Sequence, residues 1–208
     1  MPGKPPILAY HVIFGAYGFW LPDDPRDSWS DFVGSWELFR FGPATRVHTR
    51  RSVAGRAHDH TVRLAAKRAL KHPPVVLSGI QARAVGHGFA WAIRESGYAV
   101  HSCSILPEHV HLVIGPHDRA ATGVVKHLKT RATQRLIAEC GWPRGRPVWA
   151  KRCWKVFLYD PADVRRAIRY VRDNPAKEGL PPQHWSFVTS WTPPDKSKRV
   201  AGMRRTPT

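Results

Sequence analysis

Acidic residues are scarce in this chain: 15 Asp and Glu stand against 33 Lys and Arg over 208 residues, a net charge of +18. An excess of that size raises a positive field whose natural partner is a polyanion, a nucleic acid or an anionic membrane surface. Long apolar runs are missing too. None approaches the roughly 18 residues needed to cross a bilayer, and the N-terminus has no signal-peptide apolar stretch, so no membrane partner is expected. Cysteine is rare. Cys103, Cys140 and Cys153 show no C-x-x-C spacing, and their odd number argues against a disulfide framework. A zinc site from them requires all of them to converge, which nothing in the sequence supports. The expected setting is a reducing, cytoplasmic one, in a bacterial cytosol at the nucleoid.

With 42% hydrophobic residues the chain can build a core without staples. One domain is expected over residues 1–190, followed by a basic tail over 191–208 that stays flexible unless something anionic orders it. The segment from Pro22 to about Pro74 is rich in Pro and Gly and long for a loop. It reads as an insertion with a helical piece near Thr61–Leu70.

Outside the insertion the elements are legible. Ile7–Phe14 is an apolar run with His11 interrupting it, a strand. Ser78 with Gln81 three residues on is a capping-box spacing, and Val85, Phe89, Ala92 and Ile93 then recur at helical intervals until Gly97. Strands follow at about Tyr98–Ile105 and His109–Ile114, separated by Pro107-Glu108. A helix spans about Ala120–Glu139 and closes at Gly141, with Val125, Leu128, Ala132 and Leu136 on one side. Lys126, Lys129, Arg131 and Arg135 occupy its other side, either a solvated face or a DNA contact. Trp154–Tyr159 gives a last strand, Asp160 caps, Pro161 takes the first helical position, and a helix runs over Ala162–Asp173. This order predicts an α+β fold: a ferredoxin-like β-α-β-β-α-β core with an antiparallel sheet, an appended C-terminal helix and the tail.

Within the third strand, His109-Val110-His111 places two imidazoles on one face, because successive strand residues alternate. They suit a metal, or they are polar residues on the wet side of a half-buried sheet. With 12 histidines in the chain, roughly one such triplet is expected by chance, and His58-Asp59-His60 is a second, read as loop because no apolar frame surrounds it. A third ligand must come from elsewhere. On the appended helix, Tyr170 and Asn174 are four apart and neighbours, beside the apolar stripe Val164, Ile168 and Val171. Pro175 predicts that the helix stops at Asn174. Taken alone, these are also a boundary tyrosine and a helix-stop asparagine.

Together the pieces resemble a known arrangement. His109-Val110-His111 resembles the His-hydrophobic-His motif of the HUH endonucleases, and Tyr170-Val171-Arg172-Asp173-Asn174-Pro175 the Tyr-x-x-x-Asn-Pro segment of their single-tyrosine transposases. Pro107-Glu108, Val148-Trp149, Cys153-Trp154, Lys177-Glu178-Gly179-Leu180 and Trp185-Ser186 agree, as does the aromatic Phe19–Trp29 opening with its Asp-Pro-Arg. The resemblance covers most of Ile7–Val188 and points to the REP-associated tyrosine transposases. Many relatives have Asn where Glu108 stands, which bears on metal affinity or DNA contact, and the insertion lies outside the shared motifs.

The resemblance implies a metal-dependent single-stranded DNA endonuclease and strand transferase. His109, His111 and Asn174 would hold a divalent ion that polarises the scissile phosphate. Tyr170 would attack phosphorus, giving a 5′-phosphotyrosine and a free 3′-hydroxyl. Mixed imidazole and amide ligands suit Mn²⁺ better than Mg²⁺, though either is implied. Tyr159 is the reserve nucleophile. The partner is single-stranded or hairpin DNA, contacted by Lys126, Lys129, Arg131 and Arg135 and by Lys198, Arg199, Arg204 and Arg205 of the tail. The protein is a monomer, or a homodimer if the tyrosine helix is exchanged between subunits. A hairpin-binding module that no longer cuts shares the same charge and aromatics. An RNA-binding protein on this scaffold needs aromatics on the central strands, which the histidine strand does not offer.

Overall fold

A computed structural model of the chain describes residues 5–21, 36–41 and 59–194. Most of the expected insertion and almost all of the expected tail lie outside them, including His58, Lys198, Arg199, Arg204 and Arg205. The elements run β1 (Ala9–Gly15), a short 3-10 turn (Trp36–Phe41), α1 (His60–Arg68), α2 (Gly79–Ser96), β2 (Val100–Ile105), β3 (His109–Ile114), α3 (Ala121–Cys140), β4 (Trp154–Leu158) and α4 (Pro161–Lys177). The strands form one four-stranded antiparallel sheet in the order β2-β3-β1-β4.

Local chemistry sets the helix ends. The Ser78 hydroxyl accepts from the Gln81 N–H while the Gln81 amide oxygen accepts from the Ser78 N–H, so both halves of the capping box are made. Gly97 and Gly141 close α2 and α3 with φ of 67° and 62°, left-handed angles that favour glycine. Asp160 caps α4 and Pro161 enters it where a missing N–H is harmless. His60 is not in a loop: it opens α1, with the Asp59 carboxylate accepting from the N–H groups of Thr61 and Val62.

Strand alternation gives the sheet two faces. On one, Val12, Phe14, Val110, Leu112 and Ile114 meet α2 and α3, which contribute Val85, Phe89, Leu128 and Leu136 to the main core. The two helices approach closely because a Cβ on Gly88 would stand 2.4 Å from the Ala132 Cα. On the other face, Ala9, Val113 and Leu158 meet Val164 and Val171 of α4 in a smaller core.

The course of α4 departs from the sequence expectation. The helix does not stop at Asn174 but continues through Pro175 to Lys177. A proline at 175 has no N–H for the Val171 carbonyl one turn back. That carbonyl accepts from the buried Ser104 hydroxyl of β2 instead. Ser102 of the same strand donates to the Ile168 carbonyl at 3.2 Å. Two sheet hydroxyls thus seat the helix, and one takes the bond that proline cannot make.

Candidate functional site

The face under α4 carries the histidines, and it is not wet. His111 is 4% exposed and His11, from the neighbouring strand β1, is 9% exposed. The antiparallel register sets Ile13 opposite His111 and His11 opposite Val113, so both histidines project to the same side of the sheet. Nε2 of His11 lies 3.2 Å from Nδ1 of His111, and the two rings stack with centroids 5.4 Å apart. His109 completes the row, its ring 4.8 Å from that of His111.

Burial dictates the charge state. His11 is pushed down to about 4 by desolvation alone. His111 is held well below the ordinary imidazole range, first by burial and then by the neighbouring charges of His109, His11 and Lys177. Both are neutral at physiological pH, the form in which imidazole ligates metals.

Helix α4 lays Tyr170 over this row. Its ring centroid is 5.7 Å from His111 and 5.8 Å from His11, and the side chain is 43% exposed, open to a large substrate. Burial, then the charge of Glu178, raises the phenol above its usual pKa. The Lys177 ammonium sits 4.0 Å from the ring centroid. Farther along, Oε1 of Glu178 is 3.8 Å from Nε2 of His109. Asn174 falls between Tyr170 and Glu178 in four-residue steps, which sets it on the same flank of α4 as both. It is 6% exposed.

Aromatic rings close the ends of the row. Phe19 stacks on His109 at 4.7 Å, which the bare Gly15 permits: a Cβ there would stand 2.9 Å from the Phe19 ring. Trp154 of β4 approaches His11 edge-on at 5.9 Å.

Expected site residues are therefore partly gathered and partly dispersed. His109, His111 and Tyr170 come together, and Asn174 is buried one turn along α4 from the tyrosine. Tyr159 does not join them: it stacks on Phe157, whose other ring neighbour, Tyr10, packs on the main core across the sheet. Glu108 pairs with Lys67 of α1 at 3.0 Å. The basic row of α3 is split. Lys126 is exposed, whereas Lys129 turns inward to donate to the carbonyls of Ala150 and Arg152. Arg131 binds both Glu95 oxygens and covers the Trp91 ring, and Arg135 pairs with Glu139. The three cysteines are free thiols, with Cys103 buried.

The residues not anticipated are His11, Glu178 and the two serines. His11 had a signal, a lone imidazole interrupting an apolar strand, but its partner depends on which strand lies alongside. Glu178 entered only as part of the Lys177-Glu178-Gly179-Leu180 resemblance, with nothing to mark it as a neighbour of His109.

A curated relative from Haemophilus influenzae, named "Putative REP-associated tyrosine transposase", is 30% identical to this chain over 84 residues. The resemblance to REP-associated tyrosine transposases holds. That match takes in 36% of this chain and 48% of the relative, about half of the relative's length. Two solved structures also superpose. One, a REP-associated tyrosine transposase bound to a REP hairpin, is 14% identical with a TM-score of 0.47, covering 87% of this chain and 74% of that one. The other, described as a "putative transposase" from Deinococcus radiodurans R1, is 13% identical with a TM-score of 0.36, covering 81% and 94%. No family model matches the chain. No helix among the described residues is long and apolar enough to cross a membrane.

Proposed function

We propose that this chain is a metal-dependent single-stranded DNA endonuclease and strand transferase that cuts hairpin or repeat DNA through a 5′-phosphotyrosine, on a ferredoxin-like core. The observation that carries the reading is the seating of Tyr170 over the buried histidine row, with ring centroids under 6 Å.

The donor set fits a divalent ion of borderline hardness such as Mn²⁺. His109 and His111 share one face, His111 is neutral, and Asn174 of α4 is buried. No three His, Cys, Asp or Glu side chains among the described residues are placed to hold a metal, so the amide is needed as the third ligand. His11 engages Nδ1 of His111, which leaves Nε2 as the ligating nitrogen; fixing a ligand's other ring nitrogen is how outer partners orient metal-bound imidazoles. Bound there, the ion would supply Lewis-acid polarisation of the phosphate.

The chain's own residues do the rest. The phenol oxygen of Tyr170 forms the new bond to phosphorus, the bond from phosphorus to the 3′ oxygen breaks, the phenolic proton is given up, and the departing oxygen ends as a hydroxyl. Lys177, over the ring face, favours the negative charge that develops on the phenol. Strand joining is the reverse, with the phosphodiester energy held in the tyrosyl bond.

Incubating the protein with Mn²⁺ and an end-labelled hairpin tests this directly. The expected product is a nicked strand whose 5′ end carries protein through denaturing electrophoresis. A nick with a free 5′ phosphate would mean attack by water, and binding without any nick would mean a hairpin-binding module.

A further inference from the structure

A cavity of about 440 Å³ opens between α4, the start of β2 and the segment 188–193. Arg165 and Arg169 stand one turn apart on its helix wall, with Ile168 beside them. Tyr170 follows Arg169 and so leaves the helix about 100° around from it, which puts the cavity and the histidine row on different flanks of α4. The neighbouring arginines are already paired, Arg166 with Asp163 and Arg172 with Asp173. Among the described residues, Arg165 and Arg169 have no carboxylate partner and no Asp or Glu lines the cavity.

The wall facing α4 is fixed at both ends. The Gln183 amide accepts from the Ile105 N–H and donates to the Ile105 carbonyl, each at 2.8 Å, and farther on Thr189 donates its N–H and its hydroxyl to the Val100 carbonyl. The segment therefore runs antiparallel along β2, an edge strand of the sheet. Between these ties Trp185 fills the space over the bare Gly86, where a Cβ would stand 2.1 Å from its ring, and stacks on Phe187. Beyond them Trp191 packs on the small core under α4. Nδ1 of His101 donates to the Thr189 carbonyl at 3.2 Å, and burial lowers this imidazole, so it stays neutral and the two arginines supply the charge of the cavity.

A ligand for this site joins an anion to an apolar group. Ile168, Val188, Trp191 and Pro193 give the cavity apolar walls, and its volume has room for one or two side chains. A single-stranded nucleic acid is held by cations spaced along its backbone and by rings on which successive bases stack. Here both cations share one wall, the segment 188–193 carries no Lys or Arg, and its one aromatic ring is anchored on the core. The last residue of a peptide matches better. Its carboxylate suits a pair of guanidinium forks, and its own side chain lies close enough to enter the apolar space beside them. Acidic residues before it would be drawn by a chain of net charge +18.

We infer that this cavity docks the acidic C-terminus of a partner protein, with the partner's last, apolar side chain against Ile168 and Val188 and its terminal carboxylate on Arg165 and Arg169. The inference goes beyond the nuclease reading and does not depend on it. A partner held there sits on the helix that carries Tyr170 and leaves the histidine row uncovered.

The test uses the full chain and fluorescence anisotropy of a labelled peptide of three aspartates ending in phenylalanine with a free carboxylate. Arg165 and Arg169 are exposed, so Arg165→Gln with Arg169→Gln leaves the fold intact. Arg94→Gln with Lys126→Gln removes the same charge from exposed positions on α2 and α3 and serves as the control. Micromolar binding is expected for the wild-type chain, roughly tenfold or more weaker in the Arg165/Arg169 variant and within about twofold in the control. Amidating the peptide's terminus, or ending it in alanine, should each weaken binding several-fold. No binding by the wild-type chain would overturn the inference, as would equal binding of the amidated peptide or an equal loss in the control, which would mean attraction to net charge alone. Oligothymidine that displaces the peptide and itself loses tenfold in the Arg165/Arg169 variant, but not in the control, would make the cavity a nucleic-acid contact and overturn the protein partner. Mn²⁺-dependent nicking of a hairpin, measured on the same samples, separates failure of the docking site from failure of the nuclease reading.

Discussion

The two faces of the sheet are made from the same strands and do opposite things. Under α2 and α3, Val12, Phe14, Val110, Leu112 and Ile114 belong to the main apolar core, and that face holds the protein together. Under α4 the alternate residues are His11, Ser102, Ser104, His109 and His111, with Ala9 and Val113 forming a much smaller apolar contact. A helix over polar strand residues requires that each buried polar group find a partner. The serines do so by bonding the helix backbone, and His11 and His111 by bonding each other. Chemistry can be concentrated on the second face because stability is secured on the first.

The comparison is broken most severely at Tyr170. Replacing it with Phe keeps the ring against the histidines and deletes the attacking oxygen, so covalent DNA adduct should vanish while hairpin binding persists, read on a denaturing gel beside a gel shift. Tyr159→Phe, on the opposite face, should leave the adduct intact. An adduct that survives Tyr170→Phe and disappears in Tyr159→Phe would reverse the assignment of faces.

Next come the ligand histidines. His109→Ala and His111→Ala should each abolish Mn²⁺ binding in a calorimetric titration and abolish cleavage. His60→Ala, at the exposed start of α1, should do neither. Asn174→Ala should weaken metal binding, with extra Mn²⁺ partly restoring activity, whereas no amount of metal should rescue Tyr170→Phe.

A purely structural change on the first face should act on stability. Phe89→Ala removes a fully buried ring and should cost about 3–5 kcal/mol by urea denaturation. Any nicking measured well below the melting temperature should remain.

The second face should show a pH signature. The folded His11 pKa of about 4 lies below its ordinary value of 6.5, so below pH 6.5 the unfolded chain takes up a proton that the folded chain refuses. Stability contributed by the neutral ring is therefore complete above pH 6.5. It falls as pH drops toward 4, by about 3 kcal/mol in total, and His111 adds in the same direction. Denaturation of the metal-free protein from pH 7 to 4 should trace that decline, and His11→Gln should flatten part of it. The smallest effect is expected at Ser104→Ala. The Val171 carbonyl loses its only replacement for the missing Pro175 N–H, at about 1–3 kcal/mol, and the loosened helix should lower nicking more than hairpin binding.

Much of this molecule was legible in its sequence because the signals are local. The capping box at Ser78, the glycine ends at Gly97 and Gly141 and the Asp160-Pro161 start each involve groups within a few residues, so position along the chain suffices to find them. The pairing of His109 with His111 follows from strand alternation, and that of Tyr170 with Asn174 from helical repeat. Three things needed the tertiary structure because they join residues far apart in sequence. His11 meets His111 only through the register of β1 on β3. The helix passes Pro175 only because a serine from β2 supplies the bond that proline lacks. The α3 cations divide into spent and available ones only once Glu95 and the Ala150–Arg152 carbonyls have taken their share. Residue types and short-range spacing determined the elements and the chemistry that they carry. Burial, register and long-range partners decided which of those groups face one another, and those depend on the whole chain folding back on itself.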